Sequence, residues 1–155
     1  MRPINRIIIH HSESPGGNAD MIRRWHTVDD HNWLDIGYHY VICNGKAHGG
    51  WKAGGDGEVQ EGRPIDVQGA HARSANADSI GICLIGDFEK TFPSNKQMMG
   101  LAGLILDLCI DYHIKPLGGV LGHRDVGNTI CPGKNLYRLL PSLRLFLDRV
   151  LVMWL

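Results

Sequence analysis

The chain has 155 residues, 43% of them hydrophobic, with 16 Lys+Arg against 16 Asp+Glu and a formal net charge of zero. That length suits a single domain spanning residues 1–155 that buries its own core, and the charge balance excludes the basic footprint of a nucleic-acid binder. The apolar run Ile7–Ile9 is too short for a signal-peptide core, so the four cysteines are expected as thiols made in a reducing cytoplasm.

In chain order, residues 5–10 read as a short buried strand, because three consecutive isoleucines are β-branched and the run is too brief for a helix. After the loop SESPGG, Asn18 is positioned to cap a helix carrying Met21, Ile22 and Trp25, with Asp20 near its N-terminus. GYHYVIC at 37–43 reads as a strand. Asn44-Gly45 predicts a type I′ hairpin into Lys46–Gly50. The glycine-rich stretch 49–69 predicts a long surface loop with one short strand. Ile80–Ile85 is a further buried strand. Ser94 with Gln97 makes a capping box, opening a helix whose stripe runs Met98, Leu101, Leu104, Ile105, Leu108, Cys109, Tyr112. Pro116 and Gly118-Gly119 are expected to end it before a strand at Val120–Leu121.

Residues 136–155 are apolar but carry Arg138, Arg144, Asp148 and Arg149, which argues against a membrane span. A terminal helix packed on the domain is expected, with Arg144 and Asp148 paired at i,i+4. The other reading, an amphipathic helix that touches a membrane, stays open. The element order predicts an α/β domain: a mixed central β-sheet with helices packed on it. Cys43, Cys83 and Cys109 lie in apolar runs and are expected as buried thiols.

His10, His123 and Cys131 end three separate strand or loop segments. Two imidazoles and one thiolate form a Zn²⁺ ligand set with one position left for water, whose pKa the metal lowers towards ~7. His11 competes with His10 for the first place, because strand alternation points only one of the two at the metal. Asp125 in GHRD is placed to orient an imidazole or a loop backbone.

IIIHHSES, GYHYVI, GRP followed by GAHA, DSIGICLIG and GHRDVGNTICPG occur in this order over residues 7–133. Together they resemble the zinc-dependent N-acetylmuramoyl-L-alanine amidases, a family that includes phage T7-type lysozymes, bacterial type-2 amidases and animal peptidoglycan recognition proteins. The resemblance implies hydrolysis of the amide between muramic acid and L-alanine in peptidoglycan. It selects His10, His123 and Cys131 as ligands and gives Tyr38 a role beside the metal. It also implies substrate contacts from His71 and Asn76, which could equally hold the loop before the 80–85 strand; Arg63 and Arg73 are weaker candidates, because the stem peptide carries carboxylates for an arginine to bind. His39 reads as structural.

Thr129 stands where T7-type lysozymes carry lysine, which leaves a neutral hydroxyl to assist Tyr38 with the oxyanion. Cys83 stands where the cytoplasmic anhydromuropeptide amidases carry a carboxylate, so that branch's base is absent. Within the family, non-catalytic recognition modules often lack the cysteine ligand; its presence favours an enzyme over a muropeptide-binding module. A lytic enzyme without an export signal fits a phage endolysin, expected as a monomer acting on the cell wall after release.

Overall fold

The computed structural model describes residues 1–154; Leu155, the last residue of the expected C-terminal segment, lies outside the described residues. Five strands form one sheet in the order β3-β2-β4-β1-β5. They are β1 (Arg6–His11), β2 (Tyr40–Ile42), β3 (Val59–Glu61), β4 (Ser79–Leu84) and β5 (Val120–Gly122). The ladders β2–β4, β4–β1 and β1–β5 are parallel, and β3 joins the edge antiparallel to β2. The sheet is therefore mixed, as expected.

Alternation along the strands divides two packing layers. Ile7, Ile9, Ile42, Ile80, Ile82 and Leu84 face the rear, where Leu101, Ile105 and Leu108 of α2 (Asn95–Tyr112) meet Leu140, Leu143, Leu147 and Leu151 of α5 (Leu140–Trp154). On the front, Val41 and Cys83 pack with Ala19, Met21 and Ile22 of α1 (Ala19–Arg24), while Ile8 packs with Ala72 and Ala75. His10 takes the front and His11 the rear. Cys43, Cys83 and Cys109 are buried free thiols.

Local chemistry sets the element ends. The Asn18 side chain accepts from the Met21 N–H at 2.9 Å and starts α1. Ser94 and Gln97 form the expected capping box, and the buried Gln97 amide also donates to the Ile42 and Ile85 carbonyls at 3.2 and 2.9 Å, tying α2 to the sheet.

Four local expectations are corrected. Gly45 has positive φ but Asn44 does not, so the pair turns the chain without a I′ hairpin, which needs both. The two-residue turn instead sits at Gly49-Gly50, both at positive φ, between the bridged His48 and Trp51. The antiparallel partner of β2 is β3, beyond that long loop. The helix α2 stops earlier than Pro116, at Tyr112, where His113 adopts a left-handed conformation. Pro116 then opens a one-turn helix, α3 (Pro116–Gly119), where proline's missing N–H and fixed φ are tolerated. Finally, Arg144 does not pair with Asp148; its Nε donates to the Val120 carbonyl at 2.6 Å and its Nη2 lies 3.5 Å from Asp125.

The buried leucines of α5 make it a packed terminal helix. Among the described residues, no helix is long and apolar enough to cross a membrane.

Candidate metal centre

His10 enters from the end of β1, His123 from the 3₁₀ turn His123–Asp125 that follows β5, and Cys131 from the loop beyond it. One donor atom from each lies within 4.8 Å of the others. Tetrahedral zinc with bonds of ~2.0–2.3 Å spaces its ligand atoms about 3.5 Å apart, and Cys131 Sγ sits 3.7 Å from His10 Nδ1. The donor set and its spacing therefore fit a mononuclear metal ion.

The protonation pattern supports the same conclusion. His10 is 1% exposed, and its Nε2 lies 2.8 Å from His71 Nδ1. With Nε2–H donated to His71, the lone pair on His10 Nδ1 faces Cys131 and is free to coordinate. His71 Nε2 reaches Ser79 Oγ at 3.3 Å, and that hydroxyl donates to the Ala75 carbonyl at 2.6 Å. The chain His10–His71–Ser79–Ala75 fixes the tautomer that ligation requires.

Burial, reinforced by the neighbouring His71, holds His10 well below the ordinary histidine range, and burial takes His71 down to about 3. Burial also lowers His123. Both imidazole ligands are thus neutral at physiological pH. Burial pushes the Cys131 thiol up to about 12, opposed by a hydrogen bond from the His11 backbone N–H. A bound cation would reverse that, because coordination deprotonates a thiol outright.

Tyr38 lies just ahead of β2, its ring centroid 4.9 Å from that of His10. Burial raises its phenol well above the ordinary tyrosine value, with the Cys83 and Cys131 thiols adding to the shift, so it remains a proton donor. Thr129 Oγ1 accepts from the Cys131 N–H at 3.1 Å, which leaves its own hydrogen free to donate.

The three residues expected at the substrate each make local contacts. His71 is 9% exposed and its Nδ1 lies 2.8 Å from His10 Nε2. Asn76 Oδ1 accepts the His71 and Ala72 N–H groups, both at 2.9 Å, and holds their loop. The Arg63 guanidinium donates to the carbonyls of Ile36, Gln68 and Asp35, stapling the chain around Tyr38. These contacts give all three a supporting role beside the expected substrate contact; the three carbonyl bonds of Arg63 use three of the five guanidinium N–H groups. Arg73 is exposed and remains without such a commitment.

His11 is buried on the rear, its Nδ1 accepting the Phe88 N–H at 3.1 Å. His39 is locked as a neutral tautomer, with the Gly81 N–H on Nδ1 at 3.0 Å and Nε2 2.9 Å from the Val67 carbonyl. Asp125 takes the backbone option, accepting the Gly122 N–H at 2.8 Å. Two supporting residues escaped the sequence: Ser79, below His71, and Tyr137, whose hydroxyl donates to Asp125 at 2.5 Å.

Three protein donors with an open side characterise catalytic mononuclear metal sites, whereas structural sites close with a fourth protein ligand. The chain belongs to the N-acetylmuramoyl-L-alanine amidase family, whose model matches residues 1–134. It is similar to peptidoglycan-recognition protein SC2 of Drosophila melanogaster, at 37% identity over 116 residues, 75% of this chain and 56% of that protein. It is also similar to the endolysin of Escherichia phage T7, at 35% identity over 141 residues, 85% of this chain and 82% of that one. Among solved structures, the N-acetylmuramoyl-L-alanine amidase LysC from Clostridium intestinale URNW superposes with a TM-score of 0.80 at 28% identity, covering 95% of this chain and 87% of that chain. The chain spans 56–57% of the length of the recognition proteins SC2 and LB.

Proposed function

We propose that this protein is a zinc-dependent N-acetylmuramoyl-L-alanine amidase that cleaves the bond between the muramic acid lactyl group and L-alanine in peptidoglycan, acting as a phage-type endolysin. The observation that carries this reading is the convergence of His10, His123 and Cys131 within 4.8 Å. Two neutral imidazoles and a thiol are a nitrogen–sulfur donor set that suits zinc better than a hard cation. When bound, zinc supplies Lewis acidity that polarises a carbonyl and acidifies water to pKa ~7.

The chain's own residues have defined tasks around that ion. His71 fixes the His10 ring so that Nδ1 faces Cys131. The Tyr38 phenol stays protonated and donates to the oxygen of the scissile carbonyl as negative charge develops on it. The Thr129 hydroxyl, seated on the Cys131 N–H, is a second neutral donor on the ligand loop. Such preorganised donors contribute ~10²–10³-fold each when removed one at a time.

The endolysin of phage T7 among the relatives and the amidase LysC among the neighbours support this substrate and bond. The complete His₂Cys set beside Tyr38 favours turnover over binding alone. The test is digestion of purified peptidoglycan. New L-alanine amino termini should appear without new reducing sugars, be lost with chelator and return with Zn²⁺. Release of reducing ends would instead make the protein a glycosidase.

A further inference from the structure

Tyr137 ends the short helix α4 (Lys134–Tyr137) and touches three of the four residues 122–125. Its ring packs on Gly122 so closely that a Cβ there would lie 2.9 Å from Cδ2 and 3.1 Å from Cε2. The Arg124 guanidinium lies 4.2 Å from its ring centroid. Its hydroxyl donates to Asp125 Oδ1 at 2.5 Å. The residue enclosed by these contacts is His123.

The same carboxylate is held from the other side. Asp125 Oδ2 accepts the Gly122 N–H at 2.8 Å and lies 3.5 Å from Arg144 Nη2. Arg144, on α5, also donates to the Val120 carbonyl at 2.6 Å, within β5. Its side chain is 17% exposed and that of Asp125 24%, so solvent screens the pair only partly. The turn is joined to the third ligand as well, because the Arg124 N–H donates to the Cys131 carbonyl at 2.9 Å.

We propose that Tyr137 and Arg144 are positioning residues of the metal centre, clamping Asp125 so that the His123 turn keeps its imidazole facing His10 and Cys131. A three-residue 3₁₀ turn has little stability of its own, and metal donors tolerate deviations of only ~0.2 Å. Something outside the turn must therefore fix it. Both residues lie beyond the matched family segment, which ends at residue 134. The C-terminal helices thus contribute to the active site as well as to the core.

This inference rests on the metal-binding reading above, and its test separates the two. Metal-free protein is titrated with Zn²⁺ against a chromophoric chelator, and the Co²⁺ form is examined by visible absorption, which reports donor geometry. Tyr137→Phe removes only the hydroxyl. It should fold normally, bind Zn²⁺ about 3–10-fold more weakly, a smaller loss than the ~10–100-fold typical of a ligand's direct partner, and shift the cobalt bands. Arg144→Met should do the same, and Arg144→Lys should fall between it and the wild type. Arg149→Ala, exposed on the same helix, should change neither quantity.

Folded Tyr137→Phe and Arg144→Met proteins with wild-type affinity and spectrum would overturn the inference while leaving the metal centre intact. Equal weakening by Arg149→Ala would overturn it too, by showing a general effect of α5. A wild-type protein that takes up neither ion would defeat both readings together.

Discussion

Replacing His71 by alanine separates a positioning role from a substrate-binding one. The bond from His10 Nε2 to His71 Nδ1 is 2.8 Å long, between rings that are 1% and 9% exposed. Removing the acceptor leaves a buried N–H without a partner, which costs about 1–3 kcal/mol. It also frees His10 to carry its proton on Nδ1, the nitrogen that faces Cys131. At about 1.4 kcal/mol per tenfold, that range corresponds to roughly 5–150-fold in metal affinity, close to the ~10–100-fold measured for partners of ligating histidines. The assay is Zn²⁺ competition with a chelator, followed by kinetics at saturating zinc. His71→Ala should lose one to two orders of magnitude in zinc affinity, and His71→Gln, whose amide oxygen can accept from Nε2–H, should recover part of it. Unchanged zinc affinity with a raised KM would refute the reasoning and return His71 to the substrate.

Tyr38→Phe should keep its metal content and lower kcat about 10²-fold, measured on soluble muropeptide; wild-type turnover would remove Tyr38 from the chemistry. Ser94→Ala should cost about 1 kcal/mol of stability in urea by deleting the α2 cap, with activity retained; no change in the midpoint would deny the cap its part. Acid should destabilise the metal-free fold through His39. Burial holds His39 at about 4, and its Nδ1 already accepts the Gly81 N–H. The unfolded chain therefore binds a proton that the folded one refuses. Stability contributed by the neutral ring is present above pH ~6.5 and falls as pH drops from there towards 4, at most about 1.4 kcal/mol per pKa unit. A thermal midpoint flat over that window would contradict this.

Much of the fold was legible because it depends on local rules. The isoleucine run of β1, the Ser94–Gln97 box and the α2 stripe each carry their signal within a few residues. The three metal donors were legible as residue types at segment ends. Alternation along a strand explains why His10 and His11 part company, one to the site and one against Phe88.

What sequence could not show is pairing across long separations. Arg144 has Asp148 one turn away, yet it reaches Val120 and Asp125 because α5 packs beside β5. Asn44-Gly45 looks like a hairpin, but glycines at 49 and 50 satisfy the positive φ at both positions that asparagine does not supply. Polar residues near a cleft look alike in sequence, so contacts that hold a loop could not be told from contacts with substrate at His71, Asn76 and Arg63. The fold shows each of them in contact with another ring or with main-chain groups.

Metal content of the purified protein, measured beside Cys131→Ser after dialysis against a weak chelator, tests the central claim most directly. One zinc per wild-type chain and a substoichiometric amount in the variant is the expected result. A wild-type protein that holds no zinc yet still cleaves peptidoglycan would contradict the account.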